Sequence, residues 1–215
     1  MLRSAQIAEI WRLIARMEAE EIATHSTQPG LRSLKGLMFV QMYSAYEFTV
    51  VHCFAAAIRS FNRFAIPFAK TRRSILGLVL HSRFQSLKQL ADRRSWSKRV
   101  DFLMESESVN SCSISDTLFP MDDSHFRSSQ LETICQLLGI PLSTLMPEPR
   151  LHGWITEVVE NRNAIAHGRE TAEAIGSRYS SASLQQRLQQ LDVLCNHILT
   201  ALEAHSNLEG NFRDV

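Results

Sequence analysis

No C-x-x-C pair, no glycine-rich phosphate loop and no run of alternating strands occurs in the 215-residue chain. Each absence removes a class of protein. The four cysteines, Cys53, Cys112, Cys135 and Cys195, are widely separated, which signals neither a zinc site nor a disulfide framework and leaves them as buried thiols. The most apolar stretch, "GLMFVQMYSAYEFTVVHCFAAAI", is interrupted by Gln41, Glu47 and His52, whereas a bilayer helix needs about twenty nearly uninterrupted apolar residues. A buried helix is expected there, and no membrane partner. The start, "MLRSAQIAEIWRLIARMEAEE", is amphipathic and acidic rather than a basic head with an apolar run and a cleavage site, so a cytoplasmic protein is expected.

Net charge is only +1, but it is unevenly spread. Between Arg59 and Arg99 eleven Lys or Arg stand against one acid, Asp92, and between Asp101 and Glu160 ten acids stand against two arginines. The basic segment could draw a polyanion to one part of a nearly neutral protein, because phosphate contacts act through local positive surface. A solvated helical face explains the same pattern equally well.

The chain is long enough for one well-buried core. Ile7, Ile10, Trp11, Ile14 and Met17 form one apolar stripe on a first helix. Pro29 and Gly30 interrupt it before a long second helix over about residues 31 to 61, and the two are expected to pair antiparallel. Residues 64–107 read as two or three shorter helices, "SILGLVLHSRF", "SLKQLADRR" and "SWSKRVDFLMESE", which carry the basic surface. "SVNSCSISDTLFPMDDSHFRSS" is rich in turn formers and reads as a loop. Helicity resumes in "SQLETICQLLGI", stopped by Gly139 and Pro141, and again from about Leu151 to His167. Ser183 and Gln186 resemble a capping box for a last helix whose Leu184, Leu188, Leu191, Cys195, Ile198 and Leu202 make a continuous seam. The expected fold is all-α: a single-domain helical bundle of an N-terminal helix pair (1–61), a basic helical insertion and loop (62–124), a motif helix and C-terminal helix (125–206) and a tail (207–215).

The stretch "ENRNAIAHGRE" places Arg162 and His167 five residues apart. That is roughly 140° of net rotation on a helix, so they share no narrow stripe, but Arg162 is long enough to curl toward the face that Asn163 and His167 share. A phosphate there could meet an amide, an imidazole and a guanidinium. Two copies apposed across a two-fold axis would offer two acid-base groups and two cations. Such a set suits RNA, whose 2′-hydroxyl is an internal nucleophile: histidine moves protons near neutral pH and arginine offers fixed donors to phosphate oxygens. Glu157 and Glu160 alone make a poor two-metal site, so no metal or other cofactor is expected.

Residues 162–167, Arg-Asn-Ala-Ile-Ala-His, resemble the R-x4-6-H signature of the HEPN superfamily, with a polar residue directly after the Arg. "LETICQLLGI", "ITEVVENRNAIAHG" and "YSSASLQQRLQQLDVLCNHILTALE" resemble the C-terminal half of HEPN-like nucleases of the RiboL-PSP and MAE_28990-type groups, over about residues 125 to 206. The resemblance implies a HEPN-like bundle, a homodimer with the motif at its interface, and a metal-independent endoribonuclease that leaves cyclic phosphate ends, of the kind that serves as a toxin or defence effector with an antitoxin or defence-system partner. On this carry-over His167 is the general acid or base, Arg162 stabilises the scissile phosphate and Asn163 orients it. Glu47 could pair with Arg162 and hold it, or be a plain structural ion pair. Some HEPN toxins carry, two residues after the motif His, a Tyr that an antitoxin modifies; Arg169 stands there instead. Arg169, Arg178 and Tyr179 could hold RNA, with Arg178 as surface decoration the plainer reading.

Of the remaining features, His52 and His197 read as partly buried and hydrogen-bonded. Trp11, Trp96 and Trp154 read as core or interface anchors, although Trp96 in the basic segment could stack on a base. Two functions from different classes therefore stand: a dimeric endoribonuclease, or a non-catalytic HEPN module that binds RNA or a protein and dimerises. A His167 that is solvent-accessible in a basic cleft near its symmetry mate favours the enzyme, and one that is buried and capped by a backbone carbonyl favours the scaffold. If the basic segment holds RNA, affinity measured by titration falls as salt rises; a salt-insensitive affinity removes that segment from the interface.

Overall fold

A computed structural model describes residues 2–28, 30–89, 92–115, 117–119 and 128–213. Among them the chain forms ten α-helices and no strand: α1 (Leu2–Thr24), α2 (Leu31–Phe64), α3 (Arg73–Val79), α4 (His81–Lys88), α5 (Asp92–Ser106), α6 (Ser128–Leu138), α7 (Leu142–Leu145), α8 (Arg150–Ala166), α9 (Ala172–Gly176) and α10 (Ser181–Ser206). The all-α, HEPN-like expectation holds. No helix among the described residues is long and apolar enough to cross a membrane.

The helices form two compact units. One uses the chain up to Val50 and Met146–Leu199; the other uses Val51–Pro120, Leu131–Leu145 and the residues from Thr200 onward. In the first, α1 and α2 pair as expected: the Lys35 ammonium lies 2.5 Å from Glu18, two positions similarly distant from the intervening turn. Glu18 also accepts from the Ser181 backbone N–H at 2.8 Å, and the Trp11 indole donates to the Ser181 carbonyl at 2.9 Å. Burial pushes the Glu18 carboxyl up, but hydrogen bonds from Lys35 and Ser181 outweigh this and hold it below its ordinary range. A carboxylate at the first turn of α10 also complements the helix dipole.

That contact explains a difference from the expected start of the last helix. Ser180, rather than Ser183, is the cap: its hydroxyl oxygen accepts from the Ser183 backbone N–H at 3.1 Å. Glu18, distant in sequence, satisfies the N–H of Ser181, and the helix begins one turn early. Glycines set the approach of α9 to α2. A Cβ on Gly36 would lie 2.0 Å from the Ala172 carbonyl oxygen, and one on Gly176 would lie 1.8 Å from the Arg32 carbonyl oxygen. Backbone meets backbone there, so no side chain can move aside.

In the second unit the loop expected after α5 is pinned to α2. The Asn62 amide donates to the Ile114 carbonyl at 2.8 Å and accepts from the Ile114 N–H at 2.9 Å, as a β-ladder partner would. Residue 116 and the end of that loop, residues 120–127, lie outside the described residues. The expected helix "SILGLVLHSRF" is divided at Leu80, which ends α3 and precedes α4. The C-terminal tail is part of the core: Phe212 is fully buried, 5.6 Å from the Phe61 ring in an edge contact. Cys53, Cys112 and Cys135 are buried free thiols and Cys195 is half-buried; burial pushes the Cys135 thiol up to about 11. His197 is half-buried, but His52 is exposed, contrary to expectation, because it occupies the outer face of α2.

Gly36→Ala and Gly176→Ala are each expected to lower stability by about 3 kcal/mol or more, beyond the usual cost of overpacking because the clash is with backbone. Chemical denaturation measures this, and a loss below about 1 kcal/mol would mean that α9 can draw away from α2.

Candidate active site

Helix α8 buries Leu151, Trp154, Ile155, Val158 and Val159, an i, i+3, i+4 pattern that makes one apolar face. Continuing that spacing by one turn reaches Arg162 and Asn163. The motif arginine therefore stands where a core residue is due, and it is half-buried rather than splayed into solvent. A guanidinium so placed needs partners. Its Nη1 donates to the Asn163 side-chain oxygen at 3.0 Å, and its carbon lies 4.5 Å above the centre of the Tyr43 ring on α2. Tyr43, only 2 % exposed, donates its hydroxyl to Glu47 at 3.0 Å. Tyr43 thus touches both Glu47 and Arg162, and brings the carboxylate and the guanidinium to one aromatic side chain.

His167 ends α8 and is exposed. Its position follows from the glycine after it. Gly168 adopts φ of 66°, its N–H donates to the Ile165 carbonyl at 3.1 Å, and the Arg169 N–H donates to the Ala164 carbonyl at 2.9 Å. This is the Schellman arrangement, which needs a left-handed residue directly after the cap. His167 is thereby held, exposed, at the helix end. Asn163 has a different environment: its side chain is 2 % exposed and engaged by Arg162. The helical face that it nominally shares with His167 is covered at Asn163 and open at His167.

Further along, Arg169 is exposed, and Arg178 pairs with Glu170 on the surface. Tyr179 is built into the scaffold. Its ring packs 4.7 Å from Phe39 and 5.0 Å from the Arg187 guanidinium, and its hydroxyl donates to Glu157 at 2.9 Å while accepting from the Asn161 amide at 3.0 Å. Burial, together with the adjacent Glu157 carboxylate, raises its pKa. Glu157 also accepts two bonds from Arg187, at 3.0 and 2.8 Å, a bidentate pair that fixes α8 to α10. Among the described residues no three His, Cys, Asp or Glu side chains gather as metal ligands would.

The chain matches the family model RiboL-PSP-HEPN over residues 5–204. It belongs to the RiboL-PSP-HEPN family. The match takes in the N-terminal helices and the segment 62–124 as well as the C-terminal half on which the motif resemblance rested. No curated protein and no solved structure matches the chain. HEPN membership points to ribonuclease or nucleotide-related function.

Sequence reasoning did not find Tyr43, Asn161 or Arg187. A signal existed for Tyr43: it precedes Glu47 by four residues on α2, the spacing of side chains that meet on a helix. No local pattern pointed to Arg187, whose carboxylate partner is thirty residues earlier.

Gly168→Ala is expected to lower stability by about 1 kcal/mol through its left-handed backbone alone, since nothing lies within 4 Å of the added Cβ. A thermal melt reads the change; an unaffected melt would mean that the turn relaxes, and His167 would then not be fixed by it.

Proposed function

We propose that this HEPN protein is a metal-independent endoribonuclease that acts as a homodimer, and that it serves as a toxin or phage-defence effector. The carrying observation is the contrast within one motif: His167 is exposed at the end of α8, while Arg162 is oriented by Asn163 and Tyr43. A proton-transfer group needs access to substrate, and a phosphate-binding guanidinium gains from pre-organisation.

In the proposed reaction the His167 imidazole of one copy takes the proton from a ribose 2′-hydroxyl, whose oxygen attacks the adjacent phosphorus. Charge gathers on the phosphorane oxygens, where arginine N–H groups are effective donors. The P–O5′ bond breaks, the 5′-oxygen takes a proton from the second His167, which enters the reaction as imidazolium and leaves it neutral, and the products are a 2′,3′-cyclic phosphate and a 5′-hydroxyl. Asn163 acts in this scheme as a positioning residue on Arg162, because its oxygen is already engaged there. Tyr43 and Glu47 support the same guanidinium from α2. The exposed Arg169 is the better placed of the flanking cations to meet a phosphate, since Arg178 has Glu170 beside it.

One observation favours a second reading. Arg162 is half-buried and engaged by internal partners, as a purely structural arginine would be, which suits a non-catalytic HEPN module that binds RNA or a partner.

Cleavage of structured RNA in EDTA by wild type, His167→Ala and Arg162→Ala separates the two. The nuclease reading expects cyclic phosphate ends from wild type and at least a hundredfold slower cleavage by either variant, a loss on the scale of about two to four decades for a lost acid-base group. RNA bound but left intact by all three proteins, each still folded, supports the module.

A further inference from the structure

Helix α5 shows water an apolar face that the proposed chemistry does not use. Trp96 is 66 % exposed, Val100 58 %, Leu103 69 % and Met104 66 %. At about 100° per residue these four fall within an arc of roughly 100°. They form one stripe, on the side away from Phe102, which is buried and meets Phe84 of α4 edge-on at 6.5 Å. So α5 is apolar on two sides, and among the described residues only one of them is buried. Contiguous exposed apolar side chains of this size mark an interaction surface.

The charges around the stripe select its occupant. At the first end the Arg99 guanidinium lies 4.4 Å above the Trp96 ring, pointing toward the N-terminus of the helix as helical side chains do. At the other end Glu107, exposed, follows directly in line with the stripe, and Asp101 and Glu105 stand along the same half. An anionic surface such as RNA or a bilayer headgroup layer suits the first half and is repelled by the second. A helix whose halves carry opposite charge is instead complementary to its own reverse.

We propose that the α5 stripe is a self-association surface, in which α5 of a second copy crosses antiparallel about a two-fold axis. The residue spacing fits this operation. Val100 is midway between Trp96 and Met104, so Val100 meets its own mate at the axis, a small side chain where the helices come closest. Trp96 of each copy then faces Met104 of the other, a thioether against an aromatic ring, which is a favourable contact. Arg99, held over Trp96, comes opposite the Glu107 end of the second copy. The exposed pairs Lys98–Asp101 and Arg83–Glu105 exchange partners at little cost. A two-fold contact of this kind is isologous, each patch meeting itself. A stable dimer buries about 800 Å² per partner; one helix stripe offers less, so the association is weak and reversible. It is separate from the motif-helix dimer of the proposed function and does not depend on it.

Sedimentation velocity across a dilution series tests the contact, with circular dichroism to verify that each variant stays helical. Wild type is expected to show a concentration-dependent doubling of mass, from monomer, or from dimer if the motif helices also pair. Val100→Glu should weaken that doubling by at least about tenfold, as loss of a buried central contact does. Arg99→Glu and Glu107→Arg should each weaken it, and the double variant should restore it, because the reversed charges again meet. Arg162→Ala and His167→Ala should leave this particular step in place, which separates failure here from failure of the nuclease reading. The proposal is overturned if wild type and Val100→Glu have the same mass distribution, if the double charge reversal is no better than the single ones, or if Val100→Glu instead abolishes binding to anionic vesicles or to a single-stranded oligonucleotide without changing the mass.

Discussion

A guanidinium that occupies a core position cannot be left without partners, because an unpaired buried charge costs far more than an apolar side chain of the same size contributes. Arg162 is such a group. It falls on the apolar face that Leu151, Ile155 and Val158 define along α8, and its surroundings follow from that placement: Asn163 is turned inward to accept from it, and the Tyr43 ring of α2 lies beneath it. One substitution of charge for apolar bulk thus recruits residues from two helices into a polar cluster.

Helix α8 has to be held firmly for this cluster to keep its geometry. Glu157, one turn and a half before Arg162, is bound by both Arg187 and Tyr179, which ties the motif helix to α10 and to the segment before it. The same segment begins at the Gly168 turn and runs through α9, where Gly36 and Gly176 let two backbones touch. The exposed His167 therefore sits at a helix end braced on both sides of the motif. Precision at a reactive group comes from supports of this sort rather than from the group itself.

Much of this layout was readable in the chain. The breaks at Gly30, at Gly139 and at Gly168 each mark a real helix boundary, because left-handed glycine acts through local backbone geometry that needs no distant partner. Other surroundings depend on partners far away in sequence. The cap of α10 moved to Ser180 because Glu18 supplies an acceptor at the next residue. Tyr179, which as a sequence feature suggested an RNA-stacking ring, is packed by Phe39 and Arg187 and hydrogen-bonded by Glu157. The "tail" is anchored because Phe212 fills the space beside Phe61.

By itself, the sequence determined the helical class, the helix ends set by glycine, and the membership that the Arg162–His167 spacing announces, since periodicity, left-handed turns and short motifs are properties of neighbouring residues. Tertiary structure alone decided which motif side chains are covered and which are open. Asn163 and His167 share a face on an isolated helix, but in the folded protein one is buried against Arg162 and the other is exposed. The physical reason is that burial is set by what packs against a helix, and the residues that pack against α8, Tyr43 and Arg187 among them, come from segments whose distance along the chain carries no local signal.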